Sequence, residues 1–256
     1  MSRNFELLSQ LGKVQEILQK PGEPSSVLPE EPLVESESLV PTQSFAVQGN
    51  AREEVTKLVR NLFFVPGAGA PRRVVFAGTE SGTGCSWICS HAAEILALQV
   101  RGSVCLVDGN LRAPSLHQRL GAPNHRGLTD ALLGSGSVCQ YLHRLSPQNL
   151  YLLSSGSIKE SEQTLLASDS MRSRLTELYS QFDYVLFDVA ALSTCNDAIV
   201  LGRSADGVVL ILRANSTRRE AALKAVEELK AAKVEALGAV LNQRTFPIPD
   251  AIYKYL

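Results

Sequence analysis

Apolar residues change their spacing partway along this chain, and the change marks its organisation. Leu7, Leu11, Val14 and Leu18 recur on one helical face, so residues 4–19 are expected to form an amphipathic helix within an N-terminal segment, residues 1–20. Residues 21–51 then hold five prolines, five glutamates and no lysine or arginine, the composition of an extended or disordered linker. Two roles are open to the first segment: docking on its own domain, or acting as a handle for another protein.

From residue 52 to 245, short apolar runs rich in β-formers alternate with helical stretches. The runs are Val74–Ala77, Val104–Val107, Leu150–Leu153, Tyr184–Phe187, Gly207–Leu212 and Leu237–Leu241, and helices are predicted over 86–100, 128–142, 162–181 and 217–233. In the last of these, Ala222, Val226, Leu229 and Lys233 recur at helical spacing, the lysine stem covering apolar surface. Strands apolar on both faces, joined by helical crossovers, predict an α/β fold of three layers, αβα, around a mostly parallel sheet. Residues 246–256 remain as a C-terminal tail.

Composition narrows the partners. A net charge of −1 leaves no electrostatic footprint for DNA or anionic lipid, so nucleic acid is not expected. The five cysteines form no CxxC pair and no histidine cluster completes a metal-ligand spacing, which points to reduced, mostly buried thiols in a cytoplasmic protein. The opening MSRNFELLSQLGK lacks the uninterrupted apolar core of a secretory signal. No apolar run approaches the roughly 20 residues that span a bilayer. Direct membrane insertion is not expected, and a membrane role would run through a partner.

The first strand leads into Gly78-Thr79-Glu80-Ser81-Gly82-Thr83-Gly84-Cys85-Ser86 and then a helix. Such a turn lets backbone N–H groups converge on phosphate oxygens, and the helix N-terminus adds its dipole. Against the full pattern G-x-x-x-x-G-K-[ST], Thr79 replaces the first glycine and Cys85 the lysine, while Gly84 and Ser86 stand where expected. Alone, a glycine-rich strand-to-helix turn is as often structural as functional. Two further runs strengthen it: Val104-Cys105-Leu106-Val107-Asp108 and Tyr184-Val185-Leu186-Phe187-Asp188, each a strand ending in an acid. Strand-end aspartates face the ligand crevice of a parallel sheet, and there Asp108 and Asp188 are placed to hold Mg²⁺ beside the Ser86 hydroxyl.

The run Asp108-Gly109-Asn110-Leu111-Arg112-Ala113-Pro114-Ser115-Leu116-His117 resembles the second Walker-type motif of the bacterial tyrosine autokinases of capsule and exopolysaccharide export, members of the MinD/ParA-like P-loop clan. The resemblance covers roughly residues 50–245. Asn61-Leu62-x-Phe64, Gly127-Leu128-x-Asp130, Leu165-Leu166-Ala167-Ser168-x-x-Met171, Phe182-Asp183-Tyr184, Asp197-Ala198, Ala205-Asp206-Gly207 and Val240-Leu241-Asn242 match in order. It implies a P-loop NTPase fold that binds ATP or ADP with Mg²⁺. Gly82, Gly84, Cys85, Ser86 and Trp87 would line the phosphate site, with Asn242 against adenine. Ser86, Asp108 and Asp188 would surround the metal, the two acids forming the catalytic pair, and Tyr253 and Tyr255 would be a reduced phosphoacceptor cluster. For Asn242 a strand-end cap is the structural alternative.

Three departures fall on that reaction centre. Cys85 supplies no positive charge where the family has its phosphate lysine, and Trp87 replaces a threonine and would crowd the α-phosphate unless it swings away. Asn110 replaces the second acid of a DxD pattern, and an amide cannot act as a general base. The family's assembly motif ExxRxxR reads here as Glu53, Thr56 and Val59, with Arg60 one place off, which weakens the expectation of self-association. The leading expectation is a degenerate, regulatory autokinase-like protein that works with a membrane polysaccharide co-polymerase or chain-length protein. An active autokinase is the alternative if another cation reaches the phosphates, with Arg112, Arg213 and Arg218 as candidates. A ParA/MinD-like positioning ATPase is a further alternative, disfavoured because Gly78–Gly84 lacks that group's extra lysine.

Overall fold

The computed structural model describes residues 50–65, 69–147, 149–157 and 165–244. The expected N-terminal helix, nearly all of the linker, and Tyr253 and Tyr255 lie outside these residues. The elements in chain order are α1 (Asn50–Phe63), β1 (Arg73–Gly78), α2 (Cys85–Gln99), β2 (Val104–Asp108), α3 (Leu116–Leu120), α4 (Leu128–Leu133), β3 (Leu142–Arg144), β4 (Leu150–Leu153), α5 (Asp169–Gln181), β5 (Tyr184–Val189), α6 (Asp197–Gly202), β6 (Gly207–Arg213), α7 (Arg219–Ala231) and β7 (Ala236–Asn242). The strands form one sheet in the order β3-β4-β2-β5-β1-β6-β7. Every pairing is parallel except β3 against β4.

The alternation of side chains along each strand splits the core in two. Val74 and Phe76 of β1, Val104 and Leu106 of β2, and Leu186 of β5 pack on one face with α1, α2 and the leucines of α3. Val75, Ala77, Cys105, Val107, Val185 and Phe187 pack on the other, against α4, α5, α6 and α7. Burial on both faces is why these strands read as continuous apolar runs, and it bears out the three-layer, mostly parallel architecture.

Several expectations need correction. The predicted helix over 128–142 stops at Leu133, because Gly134-Ser135-Gly136 breaks it. A 3-10 turn, Val138–Tyr141, follows and leads into β3, a short antiparallel edge strand that the sequence reading missed. The helix expected over 162–181 begins at Asp169, where the Ser168 hydroxyl accepts the Met171 N–H (3.2 Å). In α7 the core-facing residues are Ala225 and Leu229, while Val226 is exposed and Lys233 lies beyond the helix end, exposed, with φ 58°. The first core helix also starts two residues before the expected linker boundary, at Asn50.

All five cysteines are free, Cys89 and Cys105 buried and Cys85, Cys139 and Cys195 partly so. Among the described residues no helix is long and apolar enough to cross a membrane.

Candidate functional site

The turn between β1 and α2 stands at the C-terminal end of the sheet and is held from three sides. Thr79 N donates to Ile211 O on β6 (3.1 Å), and Leu192 and Ser193 N–H groups after β5 donate to Gly78 and Thr79 carbonyls (2.9 and 3.2 Å). From β7, the Asn242 side-chain amide donates to Thr83 O (2.8 Å). Gly84, with φ 81°, caps α2, and a Cβ there would sit 2.4 Å from Asn242 Nδ2. Only glycine satisfies both the left-handed backbone and that close approach. No side chain caps the start of α2, so its first N–H groups are left to an external acceptor, the arrangement that binds anions.

Beside the turn stand the two acids. Asp108 and Asp188 are register partners on β2 and β5, and neither exposes any surface. By strand alternation they share the face of Leu106 and Leu186, the one covered by α1, α2 and α3. Asp108 is saturated by backbone: Oδ1 accepts from Asn110 N (3.3 Å), and Oδ2 from Ser115 N (3.2 Å) and Leu116 N (3.0 Å). Asp188 has no such shell, and both its oxygens lack a hydrogen bond of ordinary geometry. The Ser86 hydroxyl and Cys85 thiol at the start of α2 interact with it and favour its charged form.

Burial raises both carboxyl pKa values, Asp108 to about 7, with the Asp188 charge adding to the rise, and Asp188 to about 6. Burial and then Asp188 hold the Cys85 thiol well above its usual range, so it stays neutral. A buried carboxylate with unsatisfied oxygens next to a hydroxyl is an oxygen donor set suited to a hard divalent cation. Among the described residues no three His, Cys, Asp or Glu side chains converge as a metal cluster, so a metal here would complete its shell with phosphate and water, as Mg²⁺ does.

The remaining predicted residues fall as follows. Gly82 adopts φ 81° within the turn. The Trp87 ring stacks on His91 (centroids 4.2 Å apart, 28° between planes) and packs against the α1–α2 core, so the indole lies along the helix. Asn110 is spent on its own turn, its Oδ1 accepting from Ala113 N (3.2 Å). The three substitute cations named from sequence, Arg112, Arg213 and Arg218, are exposed, and Arg112 interacts with the Cys195 thiol. Sequence reasoning missed Arg119 on α3, whose positive charge is felt at Asp188 and whose Nε is buried. It lies three residues past Leu116 and one before Leu120, both core leucines, but on a helix of five residues that spacing shows no period in the sequence. A separate groove of about 410 Å³, lined by Gly69–Arg73, Asp206 and Leu237, opens at the opposite end of the sheet. Its acid, Asp206, already accepts from Arg72 and Arg73 N–H (2.6 and 2.8 Å).

No family model matches this chain. Among curated proteins it is 33% identical over 171 residues to the tyrosine-protein kinase YwqD of Bacillus subtilis (strain 168), spanning 67% of this chain and 72% of that protein. Among solved structures it superposes on the chimerical protein CapA2B2 with a TM-score of 0.72 at 24% identity, covering 78% of this chain and 87% of that one. It also superposes on the septum site-determining protein MinD of Pyrococcus horikoshii OT3, complexed with Mg-ADP, with a TM-score of 0.56 at 21% identity, covering 72% and 77%. The two superpositions establish the MinD-like P-loop fold. With the loop, the paired strand-end acids and the YwqD relationship together, the chain belongs to the bacterial tyrosine-protein kinase family.

Proposed function

We propose that this protein binds a magnesium nucleotide weakly and serves as a regulatory member of its family in capsular or exopolysaccharide biosynthesis, with little phosphoryl transfer of its own. The observation that carries the reading is the pairing of a kept site with a lost charge. Asp188 offers two buried, unsatisfied oxygens beside Ser86, yet the neighbouring lysine position holds a neutral thiol. Bound Mg²⁺ would neutralise phosphate charge in this crevice, held by Asp188 and Ser86 with Asp108 behind them. The chain's own contribution is positional. The backbone of the turn and the open start of α2 orient phosphate, Gly84 admits it closely, and Asn242 fixes the turn, with adenine as its expected ligand.

Phosphoryl transfer depends chiefly on positioning and charge stabilisation. Without the lysine, charge-assisted bonding worth about 1.5–3 kcal/mol is absent, and Asn110 provides no base. A membrane co-polymerase remains the expected partner, carried by the family resemblance. A second reading, a fully active autokinase, is favoured by the presence of Arg119 near Asp188.

Calorimetric titration with ATP and ADP, with and without Mg²⁺, tests the first reading. Binding weaker than micromolar and dependent on Mg²⁺ supports it; micromolar or tighter binding with rapid autophosphorylation supports the second.

A further inference from the structure

Two buried carboxyl groups side by side are costly to ionise unless a positive charge of the protein lies near them. Among the described residues three arginines are partly buried: Arg73, Arg119 and Arg174. The Arg73 guanidinium lies over the Tyr179 ring, 4.5 Å from its centroid. Arg174 is tied to Glu177 and to the Ala131 and Gly134 carbonyls. Arg119 alone of the three has a buried Nε that makes no hydrogen bond.

Its place in the fold gives that loose end a direction. Helix α3 starts at the turn whose Ser115 and Leu116 N–H groups hold Asp108. Leu116 and Leu120 pack into the core on the face shared by α2 and by both acids. Arg119 follows Leu116 by three residues, so the two side chains occupy neighbouring positions on one helix face. Long helical side chains lean toward the helix N-terminus, which in α3 is the end bound to Asp108. Burial is also offset at Asp188 by the Arg119 charge.

We infer that Arg119 supplies part of the positive charge that Cys85 does not, balancing Asp188 when no nucleotide is bound and the terminal phosphates of a nucleoside triphosphate when one is. The second half rests on the nucleotide reading above; the first half does not. An arginine arriving from α3 suits the task, because its guanidinium stays charged and presents several donors to phosphate oxygens.

Two measurements on the full chain decide this. In calorimetry, Arg119→Gln weakens ATP binding at least tenfold, the scale of a lost charge-assisted bond, and leaves AMP binding within a few-fold of the wild type. Cys85→Lys in the Arg119→Gln background restores ATP affinity. In thermal melts without ligand, Arg119→Gln lowers Tm in the wild type but not in an Asp188→Asn background. Equal ATP affinity in wild type and Arg119→Gln overturns the phosphate role and leaves Arg119 a structural counter-charge only. Additive Tm losses overturn the pairing with Asp188. A wild type that binds no nucleotide overturns the nucleotide reading and the phosphate role with it, while the melts still decide the pairing.

Discussion

Cys85 stands where the phosphate-loop pattern has its lysine. Its thiol is neutral because burial and Asp188 both oppose ionisation, so it brings neither the attraction of lysine nor the repulsion of a thiolate. Cys85→Lys is expected to raise ATP affinity at least tenfold by calorimetry, with Trp87 left in place because its ring packs away from the turn on His91. Asp188 makes a prediction of its own. Both acids have folded pKa values above the ordinary carboxyl value of 3.8, at about 7 and about 6. Groups raised in this way stabilise the fold fully below about pH 4, and that stability is lost as pH rises through 6 to 7. The ligand-free protein should therefore melt at a lower temperature at pH 8 than at pH 5. Asp188→Asn should flatten that dependence and remove the Mg²⁺-dependent part of any nucleotide-induced shift. Asp108 and Asp188 were legible in the sequence because each ends an apolar run of strand length. Arg119 was not, because the five-residue α3 is too short to show a period, and its neighbours read only as motif.

Short elements account for most of what the pattern of apolar residues failed to show. Helices α3, α4 and α6 have five or six residues each, less than two helical turns, so neither spacing nor composition separates them from loop. β3 escaped for a similar reason: its three residues alternate over too short a run, and the glycine break before it was absorbed into a longer predicted helix. The core strands and helices α2 and α7 were placed within a residue or two, because burial on both sheet faces makes the strand signal continuous, whereas α5 begins seven residues later than expected, at Asp169. Helix α1 carries a sharper lesson. The assembly motif was matched to Glu53, Thr56 and Val59, but Val59 exposes none of its surface and packs with α2, while Glu53 pairs with Lys57 (3.0 Å) on the exposed side. An arginine at 59 would bury an unpaired charge. Val59→Arg is expected to cost about 3 kcal/mol or more, whereas Thr56→Arg, at a half-buried position, should change stability by less than about 1 kcal/mol. Urea denaturation of both variants checks the contrast, and equal effects would show that α1 does not pack as described.

At the scale of the whole molecule, the order of the sheet brings β1, β2, β5 and β7 to one rim from four separate stretches of sequence. The architecture was legible because parallel strands need helical crossovers, and those alternate visibly along the chain. Which strands become neighbours was not, since register and order are set by long-range packing. Tyr253 and Tyr255 lie outside the described residues, and the prediction for them follows from the site: incubated with Mg²⁺ and ATP, the purified protein should place little phosphate on either. Mass spectrometry of the C-terminal peptide checks this. Substantial phosphate that Asp108→Ala abolishes would show the loop to be catalytically competent. The bond from Asn242 to Thr83 spans 159 positions, and that separation orders events in time. Contacts between distant residues form late, after loop-closure entropy has been overcome. During synthesis β1, β2 and β5 emerge before the strand whose last residue secures the turn. Nascent chains of this protein would thus acquire their compact core first and the tie on the turn between β1 and α2 last, so on the proposed reading a partly made copy has little means of holding nucleotide.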